Sequence, residues 1–145
     1  MGFMANDFKR ARLVPRTETL PVPDLLQWFD SSSPEWTVRG LSGNELARCR
    51  DMAEKNRKTI SAIIDALSSE TTKDTVSAVV ELSGVDKSSI PMFSALRMEL
   101  LVAGSVNPPC DIEIAAKLNM AHPTEFLLLT KAIMRLTGLG YVPGK

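Results

Sequence analysis

The chain has one histidine, His122, directly before Pro123 at what reads as the start of a helix. A histidine acts as a metal ligand or an acid–base group only with partners at a suitable spacing. No cysteine or carboxylate pattern of that kind lies near His122, so its position suits a helix cap or a surface residue. Glu113 and Glu125 are lone carboxylates on predicted helices, where solvation is the ordinary state. Gly138-Leu-Gly140 and Gly144-Lys145 have the look of a phosphate loop. A working phosphate loop runs from a strand into a helix. Here a helix precedes the glycines and the sequence then runs out. Cys49 and Cys110 are far apart in sequence, and without a secretory leader they read as reduced thiols in a cytoplasm. No catalytic, cofactor-binding or metal-binding constellation emerges. The expectation is a protein that is not an enzyme and carries no cofactor.

A second chemistry is DNA recognition. Residues 80–86, Val-Glu-Leu-Ser-Gly-Val-Asp, followed by a helix from Ile90, have the shape of a helix-turn-helix with its glycine in the turn. The second helix would read bases through Lys87, Ser88, Pro91 and Met92. That is one basic residue on an otherwise apolar helix, whereas recognition helices need donors to phosphates and base edges. Lysine plus arginine equals aspartate plus glutamate, 17 of each, so no excess positive charge is available to grip a phosphate backbone. DNA binding remains the alternative to the reading below, with no specific nucleic-acid partner expected.

The elements that must position any site follow from periodicity. The 145 residues are 44% hydrophobic and 23% charged, which suits one folded domain with a real core. No apolar run approaches the roughly 20 residues needed to cross a bilayer, and no membrane association is expected. Residues 1–12 have no clear period and read as a loose arm. Residues 13–145 then form a single helical domain with a small β element at 13–39. Within it, Leu13, Val14, Leu20 and Val22 are interrupted by Pro15, Pro21 and Pro23, which confine a strand to an edge or to short pieces. Asp24 is a candidate cap for a helical turn through Leu25, Leu26, Trp28 and Phe29. Residues 35–39, Glu-Trp-Thr-Val-Arg, are strand formers ahead of Gly40, and they predict an antiparallel partner for the strand near 13–20. Trp36 and Leu41 are expected to fasten this element onto the first long helix.

Ser42 and Glu45 have capping-box spacing, so a helix starts there. Leu46, Cys49, Ala53, Ile60, Ile64 and Leu67 lie on one stripe, with Asn56 a polar gap. The i,i+4 acid-before-base pairs Asp51–Lys55 and Glu54–Lys58 favour one unbroken helix from Gly43 to Ser68, about 39 Å long. Two helices broken near 56–58 are the alternative. A further helix is predicted over about 74–82, carrying Val76, Val79 and Val80 and stopped by Gly84. Residues 89–105 then form the most apolar helix, capped by Ser88 or Ser89 with Pro91 in its first turn. Ile90, Phe93, Leu96 and Leu100 share one face; Met92, Ala95 and Val102 cover a second. Such a helix must be surrounded, by its own chain or by a partner. Asn107, Pro108 and Pro109 force an extended link. Asp111 can cap a helix holding Ile112, Ala115, Ala116 and Leu118. Pro123 opens the last helix, with Phe126, Leu129, Ile133 and Leu136 on one face and Gly138 closing it. The fold class expected is mainly α, a compact bundle of about five helices with a small N-terminal antiparallel β element.

Seven methionines, together with Trp28, Phe29 and Trp36 in a proline-rich region, suit either a completed core or a partner-binding surface. Three segments carry a resemblance. They are residues 36–47, Trp-Thr-Val-Arg-Gly-Leu-Ser-Gly-Asn-Glu-Leu-Ala; residues 101–109, Leu-Val-Ala-Gly-Ser-Val-Asn-Pro-Pro; and residues 123–138, Pro-Thr-Glu-Phe-Leu-Leu-Leu-Thr-Lys-Ala-Ile-Met-Arg-Leu-Thr-Gly. With Val-Pro-Asp-Leu-Leu at 22–26 they resemble the tail assembly chaperones of long-tailed bacteriophages. The resemblance implies a mostly helical, non-enzymatic protein of the infected host's cytoplasm, absent from the mature virion. Its implied partner is the phage tape measure protein, kept soluble until tail tube subunits polymerise around it. The tail tube protein and a second copy of the chain are further candidate partners. The surface expected for the tape measure protein is a groove on the helices at 90–103 and 126–136. Met92, Met98, Val102, Leu127 and Leu128 would contribute to it in the helix-in-groove mode.

Overall fold

The structure is a computed structural model that describes residues 2–67 and 91–144. The described residues are predominantly helical with a small antiparallel sheet. The helix predicted over 74–82, the caps at Ser88 and Ser89, and the helix-turn-helix pattern up to Ile90 lie outside the described residues.

Residues predicted as a loose arm contain a short helix, α1 (Ala5–Arg10), none of whose residues is buried. Asp7 in its first turn and Lys9 and Arg10 in its last complement the helix dipole. The chain continues through β1 (Leu13–Val14) and β2 (Thr17–Pro21). A 3-10 turn (Pro23–Trp28) follows, then β3 (Glu35–Arg39). Val22, not Asp24, occupies the cap position of that turn, which has no side-chain cap. β2 and β3 pair antiparallel, from Thr17 opposite Arg39 to Pro21 opposite Glu35. β2 stays at the sheet's edge, where Pro21 costs no ladder hydrogen bond.

The capping box forms at Ser42 and Glu45 and starts α2 (Gly43–Lys55). The helix breaks at Asn56, and α3 (Arg57–Leu67) follows. The continuous helix favoured by the i,i+4 pairs is therefore not formed: the break falls at the polar gap in the apolar stripe, because surface ion pairs stabilise a helix only weakly. Asp51 and Lys55 pair at 3.0 Å on the wet face of α2.

The central helix is α4 (Met92–Gly104), with Pro91 at its cap. Ala95, Met98, Leu100 and Leu101 are fully or nearly fully buried by the chain itself. α4 packs against α2, α5 (Ile112–Ala121) and α6 (Pro123–Leu139). Of the face predicted to hold Ile90, Phe93, Leu96 and Leu100, Leu100 is buried and Leu96 half-buried, whereas Phe93 is 57% exposed with the Arg97 guanidinium 4.6 Å from its ring centroid. Arg97 also donates to Thr130 Oγ1 at 2.7 Å, tying α4 to α6.

Asp111 caps α5, accepting from the Ile114 amide at 2.9 Å. Phe126, Leu129, Ile133 and Leu136 of α6 face the core, each worth roughly 1.5–3 kcal/mol of burial. α6 passes Gly138 and ends at Gly140, whose φ of 79° is a left-handed conformation open to glycine. Two tight approaches hold the layers together. A β-carbon on Gly104 would lie 2.7 Å from Ile133 Cδ1, and one on Gly40 would lie 2.8 Å from the Leu136 carbonyl carbon.

The β element is not confined to the N-terminal region. β4 (Ser105–Asn107) leaves α4 directly and pairs with β3, giving a sheet ordered β2-β3-β4. β5 (Val142–Pro143) pairs with β1. These strands are only two or three residues long, too short to register as a period, and long-range pairing alone defines them. Trp36 and Leu41 are buried, at 4% and 2% exposure, but their hydrogen bonds run to Ser105 and to Thr137 of α6 rather than to the first long helix. The Trp36 indole donates to Ser105 Oγ at 3.0 Å, so the tryptophan joins the sheet to the end of α4.

Candidate binding surface

The turn from β3 into α2 carries a cluster of polar contacts. Arg39 pairs with Glu45 through both its Nη atoms. The Glu45 carboxylate also accepts from the Ser42 amide at 3.0 Å and from the Tyr141 hydroxyl at 2.9 Å. The hydrogen bond from Arg39 is the main reason the Glu45 carboxyl is held down to about 2; burial opposes it, and Ser42 and Tyr141 assist. Every charge here is matched by a partner within the fold, so the cluster fastens the C-terminal tail to the start of α2. Cys49 is buried, and burial pushes its thiol up to about 11. Cys110 is half-buried, and burial, aided by Asp111, pushes its thiol up to about 12. Thiols so shifted are protonated at neutral pH and poorly nucleophilic. Among the described residues no group of three or more histidines, cysteines or carboxylates is placed to hold a metal ion.

His122 ends α5 and caps α6 through its backbone, with no side-chain cap hydrogen bond. Glu113 is exposed, but Glu125 is 7% exposed, contrary to the solvated carboxylate expected. Glu125 is the third residue of α6, where the positive end of the helix dipole favours an anion.

An open cleft of about 760 Å³ lies between the 3-10 turn, the start of β3, the Asn107–Pro108–Pro109 link and α5. That volume falls in the range of ligand-binding clefts. Its construction is local on each side. The Val22 amide donates to the Pro34 carbonyl at 3.0 Å and closes the loop between β2 and β3. Val22 and Leu25 anchor that loop in the core, at 0% and 4% exposure. Trp28 is thereby held on the surface, 69% exposed, beside Phe29. Trp36 lines the cleft from the sheet. On the opposite wall Ile114, Lys117, Leu118 and Ala121 fall on one stripe of α5. The lining is mostly apolar, with Asp30, Glu35 and Lys117 as its charged members.

The five residues predicted as a groove are not assembled into one. Met98 is fully buried between α4 and its neighbours and is unavailable to a partner. The reason is that α4 is enclosed on three sides by α2, α5 and α6. Met92 is half-buried against the core. Val102 borders a smaller hollow of about 220 Å³ between α2 and α4, with Cys49, Met52 and Glu99. Leu127 and Leu128 do remain exposed, at 41% and 44%, on the outer face of α6 together with Met134. The cleft residues Leu25, Ile114, Leu118 and Ala121 were missed as a surface. Trp28, Phe29 and Trp36 carried the one available signal, three aromatic residues in a proline-rich region.

Among the described residues no helix is long and apolar enough to cross a membrane. No family model matches the chain, and neither a curated protein nor a solved structure matches it.

Proposed function

We propose that the chain is a tail assembly chaperone of a long-tailed bacteriophage, which binds the tape measure protein and keeps it soluble during tail assembly. The observation that carries the reading is the open cleft beside Trp28. An exposed tryptophan beside an apolar trough is the usual anchor of a protein interface. The resemblance of the segments at 22–26, 36–47, 101–109 and 123–138 supplies the identity of the partner. A tape measure protein is long and helical, with apolar stripes that aggregate when bare. The cleft has room for one face of a short stretch of such a helix, laid in helix-in-groove fashion. Many copies binding weakly along the length would protect it, yet leave it to be displaced by tail tube subunits. On this reading the protein works in the host cytoplasm, performs no catalysis and is absent from the finished virion.

The test is coexpression with the tape measure protein of the same phage. The tape measure protein stays soluble with the parent chain and becomes insoluble with Trp28→Asp, a substitution at a residue 69% exposed; circular dichroism checks the fold of the variant. Leu128→Glu tests the outer face of α6 separately. Equal insolubility with and without the parent chain refutes the assignment. Rescue that survives Trp28→Asp but is lost with Leu128→Glu moves the binding surface to α6. A sequence-dependent DNA complex tighter than about micromolar at physiological salt would instead favour the helix-turn-helix alternative.

A further inference from the structure

We propose that the cleft beside Trp28 also receives the N-terminal arm of a second copy of this chain. The proposal rests on the shape and charge of the cleft and the arm, not on the tape measure assignment. The arm is amphipathic and uncovered. Phe3, Met4 and Phe8 are 77%, 70% and 54% exposed, and the Phe3 and Phe8 rings lie with centroids 5.3 Å apart. Three large apolar side chains gathered on one short arm form an apolar knob, and the cleft is an apolar trough lined by aromatic and proline residues.

The charges around the two are of opposite sign. The arm carries Lys9, Arg10 and Arg12 against Asp7. Asp7 is already taken by Arg10, at 3.3 Å, which leaves Lys9 and Arg12 without an acidic partner among the described residues. The cleft carries Asp30 and Glu35 against Lys117, with His122 also in its lining, and no ion pair to either carboxylate is present among the described residues. Aromatic knob to apolar trough, and basic flank to acidic rim, is the complementarity that selects a partner and its orientation.

Within one copy the two do not meet. The cleft opens at the Glu35 end of the sheet, whereas the chain enters β2 at the Arg39 end, about 14 Å away along β3. The Arg12 carbonyl is held by the Gly144 amide at 2.7 Å, which anchors the root of the arm beside β5. From that root α1 is about 9 Å long. Trp28 and the arm are accordingly exposed in the same molecule. A second copy brings both surfaces into reach and does so reciprocally, since each arm of a twofold pair enters the other's cleft. Arm and any other ligand of the cleft then compete, so the arm sets how readily the cleft opens to that ligand.

Sedimentation velocity of the full chain, across about 10 to 500 µM, tests this without the tape measure protein. The expected result is a concentration-dependent rise from monomer to dimer. Phe3→Asp with Phe8→Asp, and separately Trp28→Asp or Ile114→Asp, should each raise the dissociation constant about tenfold or more. Every one of these positions is exposed, and circular dichroism should match the parent. Mixing the arm variant with a cleft variant leaves one intact arm facing one intact cleft. The mixture should therefore associate more strongly than either variant alone. Added salt should weaken the dimer by screening Lys9 and Arg12 from Asp30 and Glu35. A chain that stays monomeric throughout overturns the proposal, including the case in which the arm variant alters tryptophan fluorescence within a monomer. Association indifferent to both sets of substitutions, or a mixture no better than its parts, overturns it equally.

Discussion

Replacing Trp36 probes the joint between the sheet and the helical layer. The side chain is 4% exposed, and its indole N–H donates to Ser105 Oγ at 3.0 Å. Trp36→Ala removes nearly all of that buried surface and leaves a cavity, a loss of about 4 kcal/mol. With a urea slope of about 2 kcal/mol/M for a domain of this size, the midpoint should fall by about 2 M. Trp36→Phe separates packing from hydrogen bonding. The ring keeps most of the contact, and Ser105 Oγ retains its 2.6 Å bond to the Leu101 carbonyl, so no buried group is orphaned. The cost should then be about 1 kcal/mol. Ser105→Ala leaves the indole donor buried and unpaired, at a cost of about 1–3 kcal/mol. The double variant Trp36→Phe, Ser105→Ala should cost less than the sum of the two. Far-UV circular dichroism is the right probe, because Trp36 would itself dominate a fluorescence signal. A midpoint for Trp36→Ala within about 0.5 M of the parent, with an unchanged slope, would refute the claim that this ring holds sheet and helices together.

Gly40→Ala should destabilise by about 2 kcal/mol in the same melts, because the new methyl would meet the α6 backbone at Leu136 rather than a movable side chain. Gly43→Ala, with nothing within 4 Å of the added carbon, is the control and should lose little or nothing. Glu45 predicts an acid limb. Its folded pKa of about 2 lies below the ordinary 4.5, so its contribution is full above about pH 4.5 and is lost as pH falls towards 2. The pair is 24% and 30% exposed, which holds the effect to about 1–2 kcal/mol; Glu45→Gln should remove that part of the acid dependence in pH-resolved melts. Glu99 works in the opposite sense. Burial raises its pKa against an opposing hydrogen bond from Asn56, so its charge costs stability at neutral pH. Glu99→Gln should raise the melting temperature at pH 7, by an amount that shrinks as pH falls and the parent's carboxyl protonates.

Much of the helical layer was legible because its signals are local. The Ser42–Glu45 box, the Asp111 cap and the Phe126–Leu136 stripe each depend on residues within a few positions of one another. The break at Asn56 was marked by a polar residue in an apolar stripe, but the i,i+4 pairs at 51–55 and 54–58 pointed the other way, to one unbroken helix. β4 and β5 were not legible, since two or three residues have no period and become strands only when β3 and β1 lie beside them. Burial of individual side chains was also undetermined. Met98 and Leu128 are similar in hydrophobicity and both sit on apolar helices, yet one is sealed by three neighbouring helices and the other faces outward. Glu125 looked like any surface carboxylate until the packing of α6 enclosed it. The cleft shows the division most clearly. Sequence placed Trp28, Phe29 and Trp36 in one proline-rich region around the loop ahead of β3, where they suit either a completed core or a partner-binding surface. Only the tertiary structure set that loop opposite Ile114 and Leu118 of α5, some 80 residues later in the chain, because a trough is made by what two distant segments leave uncovered between them.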